Sequence, residues 1–191
     1  MIFANLRLFI SIFDRDGMKH VSLLKWSSSK RKIINIMKQY DPNFSFDKFE
    51  GQIVALIRMV VFSDKPEMLA CYRGKKTDPR FADILEMTYT NATCLNKVQM
   101  EGNILHMSLR TWWVNYSEKN GKIYKTGDCI DVDLSRNVAN MEPPGFSITS
   151  VACPHCGGSF DAVRQTICPY CNSEYHMEDE SFLIDRIRLK R

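Results

Sequence analysis

The stretch Asn103-Ile-Leu-His-Met-Ser-Leu-Arg-Thr-Trp-Trp-Val-Asn-Tyr116 alternates apolar and polar side chains: Leu105 then His106, Met107 then Ser108, Leu109 then Arg110. A period of two puts one side of a strand into a core and the other outside it. This period begins near Glu86, so residues 86–99 and 103–116 predict two long strands joined near Gly102. Asn120-Gly121 signals a hairpin, because both residues tolerate the left-handed backbone of a tight two-residue loop. It leads into residues 122–125, and further on Ile130, Val132 and Leu134 alternate with Asp131 and Asp133. That alternation assigns the two aspartates to the solvent side. Residues 146–152 predict a further extended piece and residues 182–189 a terminal strand.

Upstream the period is helical. Ser45 can cap a helix in which Phe46, Phe49, Ile53, Leu56, Ile57, Val60 and Val61 form one stripe four turns long. Ser27, Ser28 and Ser29 offer caps for a short basic helix through Ile33, Ile36, Met37 and Tyr40, stopped by Asp41-Pro42. Asp64-Lys-Pro-Glu67 has capping-box spacing and predicts a second helix ending at Gly74, and residues 78–85 predict a third, shorter one. Residues 1–13 place Ile2, Phe3, Leu6, Phe9, Ile10 and Phe13 on one helical face. Helices first and an antiparallel meander afterwards make an α+β fold.

With 191 residues, 45% apolar and 11% aromatic, the chain suffices for one good domain and a small appendage. No apolar run approaches the roughly 18 residues of a spanning helix, and the N-terminus lacks the features of a secretory signal, so a cytoplasmic chain is expected. The net charge of +4 is uneven. Residues 1–40 carry eight cations against Asp14 and Asp16, a net of +6. The rest of the chain is therefore slightly acidic.

Cys153-Pro-His-Cys156-Gly157 and Cys168-Pro-Tyr-Cys171-Asn172 are matching units. Zinc takes four soft ligands in a tetrahedron, and each Cys-x-x-Cys turn supplies one edge of it. Gly157 and Asn172 are the residue types that best tolerate the left-handed position after the second cysteine. Cys153, Cys156, Cys168 and Cys171 are thus expected to hold one structural Zn2+ in a C-terminal zinc ribbon. A redox pair instead sits at a helix N-terminus within a βαβ unit, and Gly157-Gly158-Ser159 does not start a convincing helix. Cys71, Cys94 and Cys129 read as buried, inert thiols, and His155 and His176 as surface groups. Between residues 151 and 180 the one fixed cation is Arg164, against five acids. That balance argues against phosphate binding, so nucleic acid is not the expected partner of the ribbon.

For catalysis the candidates are His106, Arg110, Asp131 and Asp133, with Tyr89 and Tyr116 in the same sheet. His106, Trp113 and Asp131 are the candidate pocket residues. No nucleophile-base ordering, phosphate-cradling glycine loop or zinc-protease helix appears. A non-catalytic module is therefore expected, and a small hydrolase or isomerase is the alternative. His106 facing Asp131 or Asp133 would mark the enzyme; Met107, Leu109 and Trp113 around a cavity would mark an apolar ligand. A nucleic-acid adaptor, kept open by the basic N-terminus, comes third.

The run Tyr40-Asp-Pro-Asn-Phe-Ser-x-x-x-Phe49 at the head of an amphipathic helix resembles bacterial relatives of the C-terminal domain of mitochondrial inner-membrane translocase subunit 44. In those relatives a Cys-Pro-x-Cys-Gly…Cys-x-Tyr-Cys ribbon also follows the domain, much as residues 150–172 do here. The resemblance implies a nuclear-transport-factor-2-like cone over residues 43–140, in which helices pack on a curved antiparallel sheet. The mitochondrial protein recruits a chaperone and associates with anionic lipid, and neither activity maps onto particular residues of this chain. The expected organisation is a basic amphipathic segment over 1–40, a cone-like α+β domain over 41–145, and a ribbon with terminal strand over 146–191. Lys30, Arg31 and Lys32 are the candidate contacts for a protein or lipid partner, peripheral on the inner face of a membrane.

Overall fold

Ser45 accepts a hydrogen bond from the Lys48 N–H and opens helix α2, Phe46–Val61. The structure, a computed structural model, describes residues 22–139 and 150–190. The expected helical face of residues 1–13 and the turn at 140–145 lie outside the described residues. All seven stripe residues of α2 are buried. Burying them contributes on the order of 10 kcal/mol before chain entropy is counted.

The stripe packs on a four-stranded antiparallel sheet: β1 Ile84–Glu101, β2 Ile104–Lys119, β3 Lys122–Asn137 and β6 Leu183–Lys190, in the order β1-β2-β3-β6. Asn120 and Gly121 join β2 to β3 with φ of 53° and 69°, the left-handed pair of a tight hairpin. Leu105, Met107, Leu109 and Trp113 of β2 and Ile130, Val132 and Leu134 of β3 line the inner face against α2, none more than 1% exposed. The sheet register slips between Ile84 and Glu86, between Tyr89 and Thr93 and between Leu95 and Lys97. Asn91 (φ 55°) sits in the second slip. Such bulges bend a strand and increase its twist.

Helix α1 runs Leu23–Met37, earlier than the serine triplet suggests, because Ser22 is the cap and accepts from the Lys25 N–H. Ser29 is buried in its middle. The helix crosses the edge of β1. Trp26 packs with Ala92, Cys94, Trp112 and Cys129 on the outer face, while Ile33 and Met37 join the inner core. Consequently Ala92, Thr93 and Cys94 are buried in succession, whichever way they point. No helix among the described residues is long and apolar enough to cross a membrane.

The helix expected over 64–74 is absent. One 3-10 turn, Pro66–Met68, is all that forms. Past it the backbone extends to meet residues far away in sequence: the Ala70 N–H donates to Val163 O, the Arg73 N–H to Ile184 O, and Tyr72 bridges Ile184 in parallel. Gly74 is no helix cap. The Tyr72 ring folds over it to donate to Lys76 O, and a Cβ there would lie 2.2 Å from that ring. The shorter helix is likewise a 3-10 turn, Pro79–Asp83, capped by Asp78.

Candidate metal centre

Strand β4, Ser150–Ala152, pairs with β5, Ser159–Asp161, and leads into the first cysteine turn. The two turns repeat one backbone pattern. Gly157 N–H donates to Cys153 O and Cys153 N–H to Gly158 O; Asn172 N–H donates to Cys168 O and Cys168 N–H to Ser173 O. Gly157 and Asn172 have φ of 72° and 58°, so the left-handed positions fall where the sequence places them. Phe160 and Tyr175 meet edge-on with centroids 5.6 Å apart and form the small core beneath.

Cys153 Sγ lies 3.6 Å from Cys171 Sγ, and Cys156 Sγ lies 3.7 Å from Cys168 Sγ. All four sulfurs fall within 4.8 Å of one another. Sulfurs about 2.3 Å from a zinc ion at the centre of a tetrahedron stand about 3.8 Å apart. A disulfide needs roughly 2 Å, and none is formed. The group therefore fits a single zinc ion. Neither His155 nor His176, both exposed, enters it. Cys71, Cys94 and Cys129 are buried elsewhere; burial pushes the Cys71 thiol up to about 11.

Ser173 belongs to this centre and the sequence reading passed over it. Its Oγ lies 3.3 Å from Cys153 Sγ and 3.1 Å from Cys171 Sγ. That hydroxyl is the first cause holding the Cys153 thiol down at about 6, and it lowers Cys171 as well. At Cys156 the Gly158 N–H favours the thiolate, yet desolvation and the three other thiols push it up to about 12. Four thiols this close cannot all ionise without a cation among them, which a divalent metal supplies. The one available signal was positional: Ser173 follows the second turn as Gly158 follows the first. Ser173→Ala should weaken zinc binding about tenfold, the low end for outer-shell partners of metal ligands, in competition with a chromophoric chelator.

The remaining candidates divide between the two faces of the sheet. Trp113 is inside: its ring meets Tyr89 at a tilt, with centroids 5.3 Å apart, and its N–H donates to Thr111 Oγ1. Met107 and Leu109 are packed under α2 beside it. His106 and Asp131 are on the opposite, outer face. The three therefore share no pocket. Asp131 and Asp133 are not solvated either, because β2 and β6 bring arginines to them. Arg110 grips Asp131 with two bonds of 2.6 and 2.9 Å. Asp133 accepts from Ser108 at 2.6 Å and from Arg186 at 2.8 Å. Burial opposes the Asp133 charge, but these two donors hold its carboxyl below the usual range. A groove of about 340 Å3 runs over this face. In it His106 lies 3.7 Å from Glu101 and 3.8 Å from Asp185.

A buried polar cluster absent from the expected site residues lies on the inner face, where Asn115 and Thr126 both donate to Asp128. The signal was available in the alternation: Asn115 keeps the phase of Leu105, Met107, Leu109 and Trp113, and Thr126 and Asp128 keep that of Ile130, Val132 and Leu134.

Of Lys30, Arg31 and Lys32, the first is engaged. Its ammonium lies 3.3 Å from Asp47 and 4.6 Å from the centroid of the Phe46 ring, tying α1 to α2. Arg31 and Lys32 are exposed. No family model, curated protein or solved structure matches the chain.

Proposed function

We propose that the protein is a non-catalytic binding module, with one structural zinc ion in the Cys153, Cys156, Cys168 and Cys171 centre and a peripheral contact to an anionic membrane through α1. The observation that carries the zinc reading is the group of four sulfurs, two pairs of them 3.6 and 3.7 Å apart and all within 4.8 Å, which would fill one tetrahedral zinc ion and leave no ligand position for chemistry. The commitment of Asp131 and Asp133 to arginines supports a module over a hydrolase or isomerase. The bulged β1 and the α2 stripe against the sheet support a cone-like domain akin to bacterial relatives of translocase subunit 44.

The membrane contact rests on charge. Helix α1 contains no acidic residue, and Lys25, Arg31 and Lys32 are exposed on it, with Lys38 at its C-cap. Each cation near an anionic bilayer contributes about 1 kcal/mol. Arg31→Glu/Lys32→Glu should thus reduce partitioning onto phosphatidylserine-rich vesicles more than tenfold, with Lys30 left to hold α2. Co-sedimentation of the full chain checks this; equal binding by the variant, or no binding by either, removes the membrane from the proposal.

A further inference from the structure

Among the described residues, one edge of the sheet is covered and the other is open. On the β6 edge, the Ile184 N–H donates to Cys71 O and Ile184 O accepts from the Arg73 N–H. Asp78 and Arg80 take the N–H and the carbonyl of Leu189. On the β1 edge, α1 shields Ala92 to Cys94 and no more. Residues 96–101 beyond it are all exposed, with Val98 at 39% and Met100 at 43%. Among the described residues, no backbone hydrogen bond from outside the β1–β2 ladder reaches them. An open edge presents a row of N–H and C=O groups to any extended partner.

The order of side chains on this edge suits one partner in particular. In Lys97-Val-Gln-Met-Glu101 the chemistry is mirrored about Gln99. Two copies paired antiparallel about a two-fold axis at Gln99 would put Lys97 opposite the partner's Glu101, and Val98 opposite the partner's Met100. Both charge pairs then lie on the outer face. Both apolar pairs lie on the inner face, where Val98 and Met100 already neighbour Met107 and Leu105 across the ladder. The inner apolar row would run unbroken from one copy into the next. Shifting the axis by one residue along the strand loses both charge pairs, so the register is specified.

We propose that a second copy of this chain adds to residues 96–101 in this register, making one eight-stranded sheet across two protomers. A six-residue contact is small beside the roughly 800 Å2 per partner of a stable interface. The dimer is therefore in concentration-dependent equilibrium with the monomer. Sedimentation equilibrium on the full zinc-loaded chain, from low micromolar to near-millimolar concentration, reads it directly. Lys97→Glu and Glu101→Lys, both at exposed positions, each set like charges opposite one another twice per dimer. Each should raise the dimer Kd about tenfold, and K97E/E101K together should return it to within about threefold of the parent. A monomer mass at every concentration overturns the proposal. So does a dimer indifferent to the single reversals, or a double variant no tighter than the singles.

Discussion

Cys168→Ser should abolish stoichiometric zinc binding and release the ribbon from the sheet. The parent is expected to carry one zinc per chain by atomic emission, and the variant none. The expectation follows from how little else holds residues 150–176. Their strands are three residues each, and their core is essentially Phe160, Ala162, Val163 and Tyr175. Structural zinc contributes apparent binding energies of about 10–16 kcal/mol in small domains, far more than such a core can supply. Replacing one thiolate, itself fully buried here, leaves three ligands around the ion and a hydroxyl where a soft donor stood.

Hydrogen exchange separates the ribbon from the rest. Amides of residues 150–176 should lose protection in Cys168→Ser, and β6 should lose at least tenfold, because the ribbon delivers the chain to it through Val163 and Met177. Strands β2 and β3 should keep theirs. Chelation of the parent should reproduce the pattern, more readily in acid, since protons compete with the metal for the thiolates. In the metal-free cluster Cys153 has the same sign: it is lowered from 9.0 to about 6, so its contribution is full above 9.0 and lost as pH falls through about 6, whereas Cys156, raised to about 12, contributes below 9.0 and loses that contribution only as pH rises. A Cys168→Ser protein with full zinc content and parental exchange would rule out this centre.

These expectations rest on parts of the molecule that are local in sequence, and those parts were the readable ones. A helix stripe is set by residues three and four apart, so the α2 core is correct at all seven positions. The Asn120-Gly121 turn and the Gly157 and Asn172 conformations are each fixed within a few residues. What failed was decided at a distance. Residues 69–73 extend because Ile184 and Val163, more than ninety residues downstream, accept or supply their hydrogen bonds. Gly74 looks like a helix stop until the Tyr72 ring is laid across it. Asp131 and Asp133 alternate with buried residues as solvent-facing ones would. Only the pairing of β2 with β3 and β6 shows Arg110 and Arg186 covering them. The clustering of the four cysteines was legible; Ser173 was not, since its place depends on the second turn closing against the first.

Phe49→Ala should destabilise the domain by about 3–5 kcal/mol, the usual range for removing a buried aromatic. Phe49 is 2% exposed in the first turn of α2. Its ring meets Phe44 at 5.6 Å, Phe46 at 6.1 Å and Phe182 at 5.3 Å. Phe182 stands immediately before β6 and carries the Arg136 guanidinium over its ring, at 5.6 Å from the centroid. The substitution therefore opens a cavity among α2, the loop before it and the entry to the last strand. Aromatic pairs add about 0.5–1.5 kcal/mol beyond burial, and three are lost together. For a chain of this size, 1 kcal/mol moves the midpoint by about 2–4 °C, so Tm should fall by roughly 6–20 °C. A conservative Phe49→Leu should recover over half of the loss, because it refills most of the cavity. Phe49→Ala in the zinc-loaded protein should leave metal content at one per chain while lowering protection in β6. If Tm moves by less than about 3 °C, α2 is not what seats the terminal strand, and the zinc ribbon alone holds it.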